Sequence, residues 1–249
     1  MNGPSGPPRS ADSYPEHLIH SHSADDLIAA AGDPRLTEDL ALGLLARRDL
    51  PAQALDALSK NSALAKYRKV RLAVVGHPRT PRHISIPVIR HLYTFELMQV
   101  ALLPAVAPDI KRVAEEVLIG RLDTISAGER SALAKQSSGR VAAALLLDKE
   151  DRIMQAALHN PQMTEALLVK ALRSGQETAL LVATVCHHEK WSLRNEVKMA
   201  LLANENTPLA RALQFAQELP VKDLKEILLN SRLSVNVKTY LQTLIEQKK

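Results

Sequence analysis

Residues 145–172 read LLLDKEDRIMQAALHNPQMTEALLVKAL, an apolar helix that stops at a polar break, His159-Asn160-Pro161, and is followed by another helix. The same grammar recurs along the chain. Aligning AAAGDPRLT, AVVGHPRTP, VLIGRLDTI, AALHNPQMT and ALLANENTP puts Pro34, Pro78, Leu122, Pro161 and Glu205 in one column, at intervals of 44, 44, 39 and 44 residues. Each copy carries a small or polar break after an apolar helix end: Gly32-Asp33, Gly76-His77, Gly120-Arg121, His159-Asn160 and Ala203-Asn204. A period of roughly 43 residues fits a helix pair with its turns, as in helical solenoids. A single pair cannot bury both of its apolar faces, so neighbours must stack.

From Ala24 onward, Leu, Ala, Val and Ile recur at helical spacings, and alternating β-branched runs are missing, which predicts an all-α chain. Thr80-Pro81 and Thr207-Pro208 each place a hydroxyl before a proline at a predicted helix start. Ser126 and Glu129 have capping-box spacing. Gly32, Gly139 and Gly175 fall where a left-handed residue would end a turn or helix. Pro87, inside ISIPVIRHL, should kink or split its helix. Residues 1 to 23 hold too little apolar surface to offset the entropy of ordering and are expected to be a disordered tail. Residues 24–249 form the expected repeat domain, and 220–249, with an apolar stripe and a polar remainder, its C-terminal cap.

Residues 145–172 resemble a HEAT-like unit, and more specifically a unit of the leucine-rich-repeat-variant family, through Asp148, Arg152 and the Asn160-Pro161 break. VRLAVVGHPRTP and VKMALLANENTPLA are similar to the same pattern, so the resemblance spans about residues 24 to 220. It implies a right-handed α-solenoid of about five degenerate repeats, used mostly for binding. Some members of that family carry an iron–sulfur segment with clustered cysteines. Cys186 stands alone here, and no cofactor is expected.

Of the 249 residues, 46% are hydrophobic but only 3% aromatic, and 32 Lys and Arg face 27 Asp and Glu, for a net charge of +5. One cysteine excludes an intrachain disulfide, and no stretch approaches the roughly 18 apolar residues of a membrane span. The N-terminal sequence has no apolar core of the signal-peptide kind, so the expected compartment is cytoplasmic.

The sharpest charge feature lies between Tyr67 and Phe95: Arg68, Lys69, Arg71, Arg79, Arg82 and Arg90, with three histidines and no acid. On one face these would make a positive patch, and Tyr67, Tyr93 and Phe95 add rings suited to stacking bases. The plainer reading places the arginines on solvated helix faces. A second cluster, CHHEKWSLRNEVK, offers Trp191, Arg194 and Lys198 as a partner hot spot, with Trp191 alternatively a core aromatic between repeats.

Metal and catalytic signals are thin. HLIHSH, with His17, His20 and His22, and Cys186-His187-His188 do not match paired zinc-ligand spacing, so no metal site is expected. No nucleophile-elbow, zincin, Walker or dinucleotide motif occurs. HEAT-like DNA glycosylases of the alkylation-repair type look similar in architecture, but would need an Asp among aromatics, and Asp148 and Asp151 have none nearby in sequence. The expected function is a non-enzymatic scaffold for a protein partner. Nucleic-acid binding through the basic segment is the alternative, and no membrane association is expected.

Overall fold

The computed structural model describes residues 14–230, 233 and 235–248, and every regular element among them is helical. The α-helices are α1 (Tyr14–Leu18), α2 (Ala24–Gly32), α3 (Glu38–Leu45), α4 (Ala52–Lys60), α5 (Arg68–Gly76), α6 (Arg82–Ile89), α7 (Thr94–Leu102) and α8 (Pro108–Ile119). After a 3₁₀ turn at Leu122–Thr124 come α9 (Ala127–Gln136), α10 (Gly139–Leu145), α11 (Asp151–Leu158), α12 (Glu165–Leu172) and α13 (Ala179–His187). The last are α14 (Asn195–Leu202), α15 (Leu209–Glu218), α16 (Val221–Asn230) and α17 (Val235–Gln247). No helix is long and apolar enough to cross a membrane among the described residues.

The chain divides into two compact units, Met1–Gly120 and Arg121–Lys249. In the first, helices pack on the next but one: α2 on α4, α3 on α5, α5 on α7 and α6 on α8, with α7 also against α8. The second follows the same rule, with α9 on α11, α10 on α12, α11 on α13, α12 on α14 and α14 on α16. With so few aromatic residues, leucine, alanine and valine fill the interior. Leu27, Ala30, Leu44, Leu55 and Val74 are packed together in the first unit, and Met199, Ala216, Leu224 and Leu241 in the second.

Buried polar side chains tie the stacked helices together. The last carbonyls of any α-helix lack an intrahelical donor. Here a residue at the end of the helix two further on supplies it. Asn61, after α4, donates from Nδ2 to Ala31 O at 3.1 Å and Asp33 O at 3.0 Å, at the end of α2. His77, after α5, reaches Arg47 O at 2.9 Å, past the end of α3. Its Nδ1 accepts the Arg79 N–H at 3.2 Å, so the proton sits on Nε2, which donates. In the second unit Asn160 donates to Ala134 O and Ser137 O at the end of α9, and Asn204 to Leu172 O at the end of α12. Trp191 Nε1, after α13, donates to Leu158 O at 3.0 Å, and Arg211, near the start of α15 rather than at its end, donates to Cys186 O in α13.

The other polar atom of such a break residue shapes its own turn. Asp33, Asn61, His77, Asp148, Asn160, His188 and Asn204 each accept the N–H two residues ahead. These positions correct the expected period. The interval from Asp33 to His77 holds three helices, α3 to α5, and that from Asn160 to Asn204 also three, α12 to α14. Asn61, Asp148 and His188 stand at helix breaks between the aligned ones.

Several local expectations change in the same way. Thr80 and Thr207 do not cap the next helix: Pro81 and Pro208 take the N-cap positions. The hydroxyls instead donate back to Val74 O at 2.5 Å and Leu201 O at 2.6 Å, ends of the helices just completed. Gly139 opens α10 rather than ending a helix. Gly175 does take a left-handed φ of 73° after α12, and Ser126 and Glu129 form the capping box. α6 runs through Pro87 unsplit and ends two residues later. The expected tail is structured from Tyr14: α1 packs on α2, Ile19 is buried, and Arg47 donates to Ile19 O at 2.8 Å. The rest of that tail, residues 1–13, lies outside the described residues.

Candidate functional site

The basic residues between Tyr67 and Phe95 do not form one patch. The first and last residues of α5 are about 12 Å apart at 1.5 Å per residue, which separates its two ends. At the first end, Arg68 lies 3.9 Å from the Tyr93 ring centroid and pairs with Glu96 at 3.0 Å, so the ring face is already covered. Beyond the other end, Arg79 donates to Asp49 O at 3.1 Å and Arg82 pairs with Asp109 at 2.8 Å. Arg71 is half-buried, its Nε without a hydrogen-bond partner, and Arg90 is exposed at the end of α6.

Lys69 alone of the six lines an open groove of about 650 Å³ that runs along α5 from Lys69 to Gly76, bordered by the C-terminal ends of α3 and α7. Leu45, Leu72, Ala73 and Leu103 give the groove its apolar lining, Arg47, Arg48 and Lys69 its charge, and no carboxylate lines it. Arg47 is held by Ile19 O and by Asp49 at 2.7 Å, and the hydrogen bond to Asp49 raises its pKa. Arg48 and Lys69 are exposed and make no ion pair among the described residues. Leu103, 37% exposed, offers an apolar surface beside them.

A groove of about 720 Å³ occupies a comparable place in the second unit, over the ends of α12 and α14 and the middle of α16, with Asn204 after α14 as His77 is after α5. Its apolar lining is Leu172, Met199, Ala200 and Ile227. The charge is mainly acidic, from Glu177, Glu205 and Glu226 against Arg173.

The second predicted cluster is largely internal. Trp191 is only 2% exposed, packed where the alternative reading put it, and Lys190 sits 4.0 Å from its ring centroid. Lys198 is 8% exposed and 2.6 Å from Glu218, whose carboxyl it and Gln214 hold below the ordinary range. Arg194 is exposed at the N-cap of α14. The three therefore do not build a surface hot spot on this chain. Burial pushes the Cys186 thiol up, which disfavours the nucleophilic thiolate. Among the described residues no three His, Cys, Asp or Glu side chains gather as a metal cage.

His188 departs from the bridging pattern for a steric reason. Its Nδ1 accepts the Lys190 N–H, but Trp191 already occupies Leu158 O, and His188 Nε2 is left buried without a partner. Burial first, then His159 with rings 4.9 Å apart, pushes its pKa below 6.5. The unfolded chain then binds the proton more readily, so stability contributed by neutral His188 is present above pH 6.5 and is lost as pH falls through the folded pKa. Urea unfolding at pH 7.5 and 5.5 should show this loss in the wild type and a smaller one in His188→Gln; equal losses would remove His188 as the cause.

Arg47, Arg48, Leu72 and Leu103 were not among the sequence-based candidates. Arg47-Arg48 at a helix end was a usable signal, but only stacking of α3, α5 and α7 brings Leu103 beside them. No protein-family model, curated protein or solved structure matches the chain.

Proposed function

We propose that the protein is a non-enzymatic scaffold, a right-handed α-solenoid of degenerate HEAT-like repeats, which holds a segment of another protein in the groove along α5, bordered by the ends of α3 and α7. Packing of helices on the next but one within each unit supports the solenoid class. The observation that carries the function is exposed Leu103 beside unpaired Arg48 and Lys69, in a groove where Arg47 and His77 are locked by their own bonds. Interfaces draw their energy from such an apolar centre with a polar rim. Nucleic-acid binding is less well supported, because Arg68, Arg79 and Arg82 are engaged with Glu96, the Asp49 carbonyl and Asp109.

A photo-crosslinking amino acid placed at Leu103 should form adducts with a discrete protein. Excess unmodified chain should suppress them. The same probe at Leu229, 85% exposed on α16, should not form them. Adducts to RNA or DNA, or none above the Leu229 background, would overturn the proposal.

A further inference from the structure

We infer that the groove of the first unit takes an acidic peptide segment with a Leu- or Phe-type anchor, its carboxylates on Arg48 and Lys69 and its apolar side chain against Leu72, Ala73 and Leu103. The inference rests on the protein-binding reading above and names the class of partner.

The fold does not by itself require a basic groove. Cations are favoured near helix C-termini by the helix dipole, which accounts for Arg47 and Arg48 in general terms. The groove of the second unit is nevertheless lined by Glu177, Glu205 and Glu226 beside Arg173, so the stacking accepts either sign there. Lys69 is the second residue of α5, where the dipole disfavours a cation, and no carboxylate among the described residues pairs with it. Three cations thus converge on a lining free of carboxylates, and one of them stands against its own helix.

The apolar part of the lining separates a peptide from a simple anion. Phosphate or a free carboxylate would leave Leu72, Ala73 and Leu103 in water, whereas an anchoring side chain covers them. Gly76 also lines the groove, and a Cβ there would stand 3.3 Å from Leu103 Cδ1, so the glycine lets Leu103 lie against the end of α5. Arg47 is spent on Ile19 and Asp49, which leaves Arg48 and Lys69 to set the charge preference.

Random 12-residue peptides displayed on phage and selected on the full chain should be enriched in Asp and Glu flanking a Leu or Phe. Fluorescence anisotropy of a selected peptide should show affinity falling with salt. It should fall at least tenfold in Arg48→Glu with Lys69→Glu and several-fold in Leu103→Ser, with melting temperatures unchanged. Single-stranded DNA of equal charge should not compete. Selection of peptides without acidic residues that still lose affinity in Leu103→Ser would overturn the acidic preference and leave the protein-binding reading standing. Acidic peptides indifferent to the double reversal, or displaced equally by DNA, would overturn the site. No enrichment would overturn the inference; with adducts at Leu103 the scaffold reading survives, and without them both fall.

Discussion

Gly139→Ala should destabilise residues 121–249 by about 3 kcal/mol, the upper part of the usual overpacking range, and Gly139→Val should prevent their folding. A Cβ built on Gly139 stands 2.2 Å from the Gln162 carbonyl oxygen and 3.0 Å from its carbon. Both are backbone atoms of the turn between α11 and α12, so no side-chain rotation relieves the clash. The start of α10 must back away from that turn, opening the contact of α10 with α12. Gly32→Ala is the control. It ends α2 with no atom within 4 Å of the new methyl and no left-handed φ, so the substitution should leave stability unchanged or raise it by about 0.4–1 kcal/mol. Urea melts followed by circular dichroism test both, and equal midpoints for the two alanine variants would refute the close approach at Gly139.

Asn160→Leu should cost about 3 kcal/mol, since unsatisfied buried groups cost roughly 1–3 kcal/mol each. Asn160 is 2% exposed and its side chain makes three hydrogen bonds: Nδ2 to Ala134 O at 2.8 Å and Ser137 O at 3.2 Å, and Oδ1 from Gln162 N at 2.7 Å. Leucine strands two carbonyls and one N–H. Asn160→Asp should be at least as damaging, because a carboxylate would face the same two carbonyl oxygens. Asn160→His should recover part of the loss, as His77 performs the same two-sided task with Nε2 and Nδ1. If leucine and histidine unfold at the same urea concentration, the bridge is not what stabilises the site.

The helical class and many boundaries were legible because proline, glycine and capping pairs act locally. Ser126 with Glu129 needs only its own turn. The period was misread for a related reason. Pro34, Pro78 and Pro161 advertise their breaks, whereas Asn61 and His188 break the helix without a following proline. The bonding partners of Asn61, Ala31 O and Asp33 O, lie about two helices away, and the His159 ring beside His188 is equally distant in the chain, so neither leaves a trace in the nearby sequence. Charge was misread for the opposite reason: Arg68, Arg79 and Arg82 are close in sequence, but α5 carries them to different ends, where Glu96 of α7, the Asp49 carbonyl before α4 and Asp109 of α8 meet them. Trp191 and Lys198 likewise look available until α11 and Glu218 are placed beside them.

The bridging side chains also impose an order in time. On a ribosome, the end of α2 remains uncapped until Asn61 has emerged, and the end of α9 until Asn160 has. At synthesis rates of about 5–20 residues per second, an interval of roughly 23–30 residues leaves each helix end hydrated for roughly 1–6 s. The growing chain therefore matures a fixed distance behind the point of synthesis. Where a bridging residue is lost, the defect appears in the helix made two earlier, upstream of the altered codon.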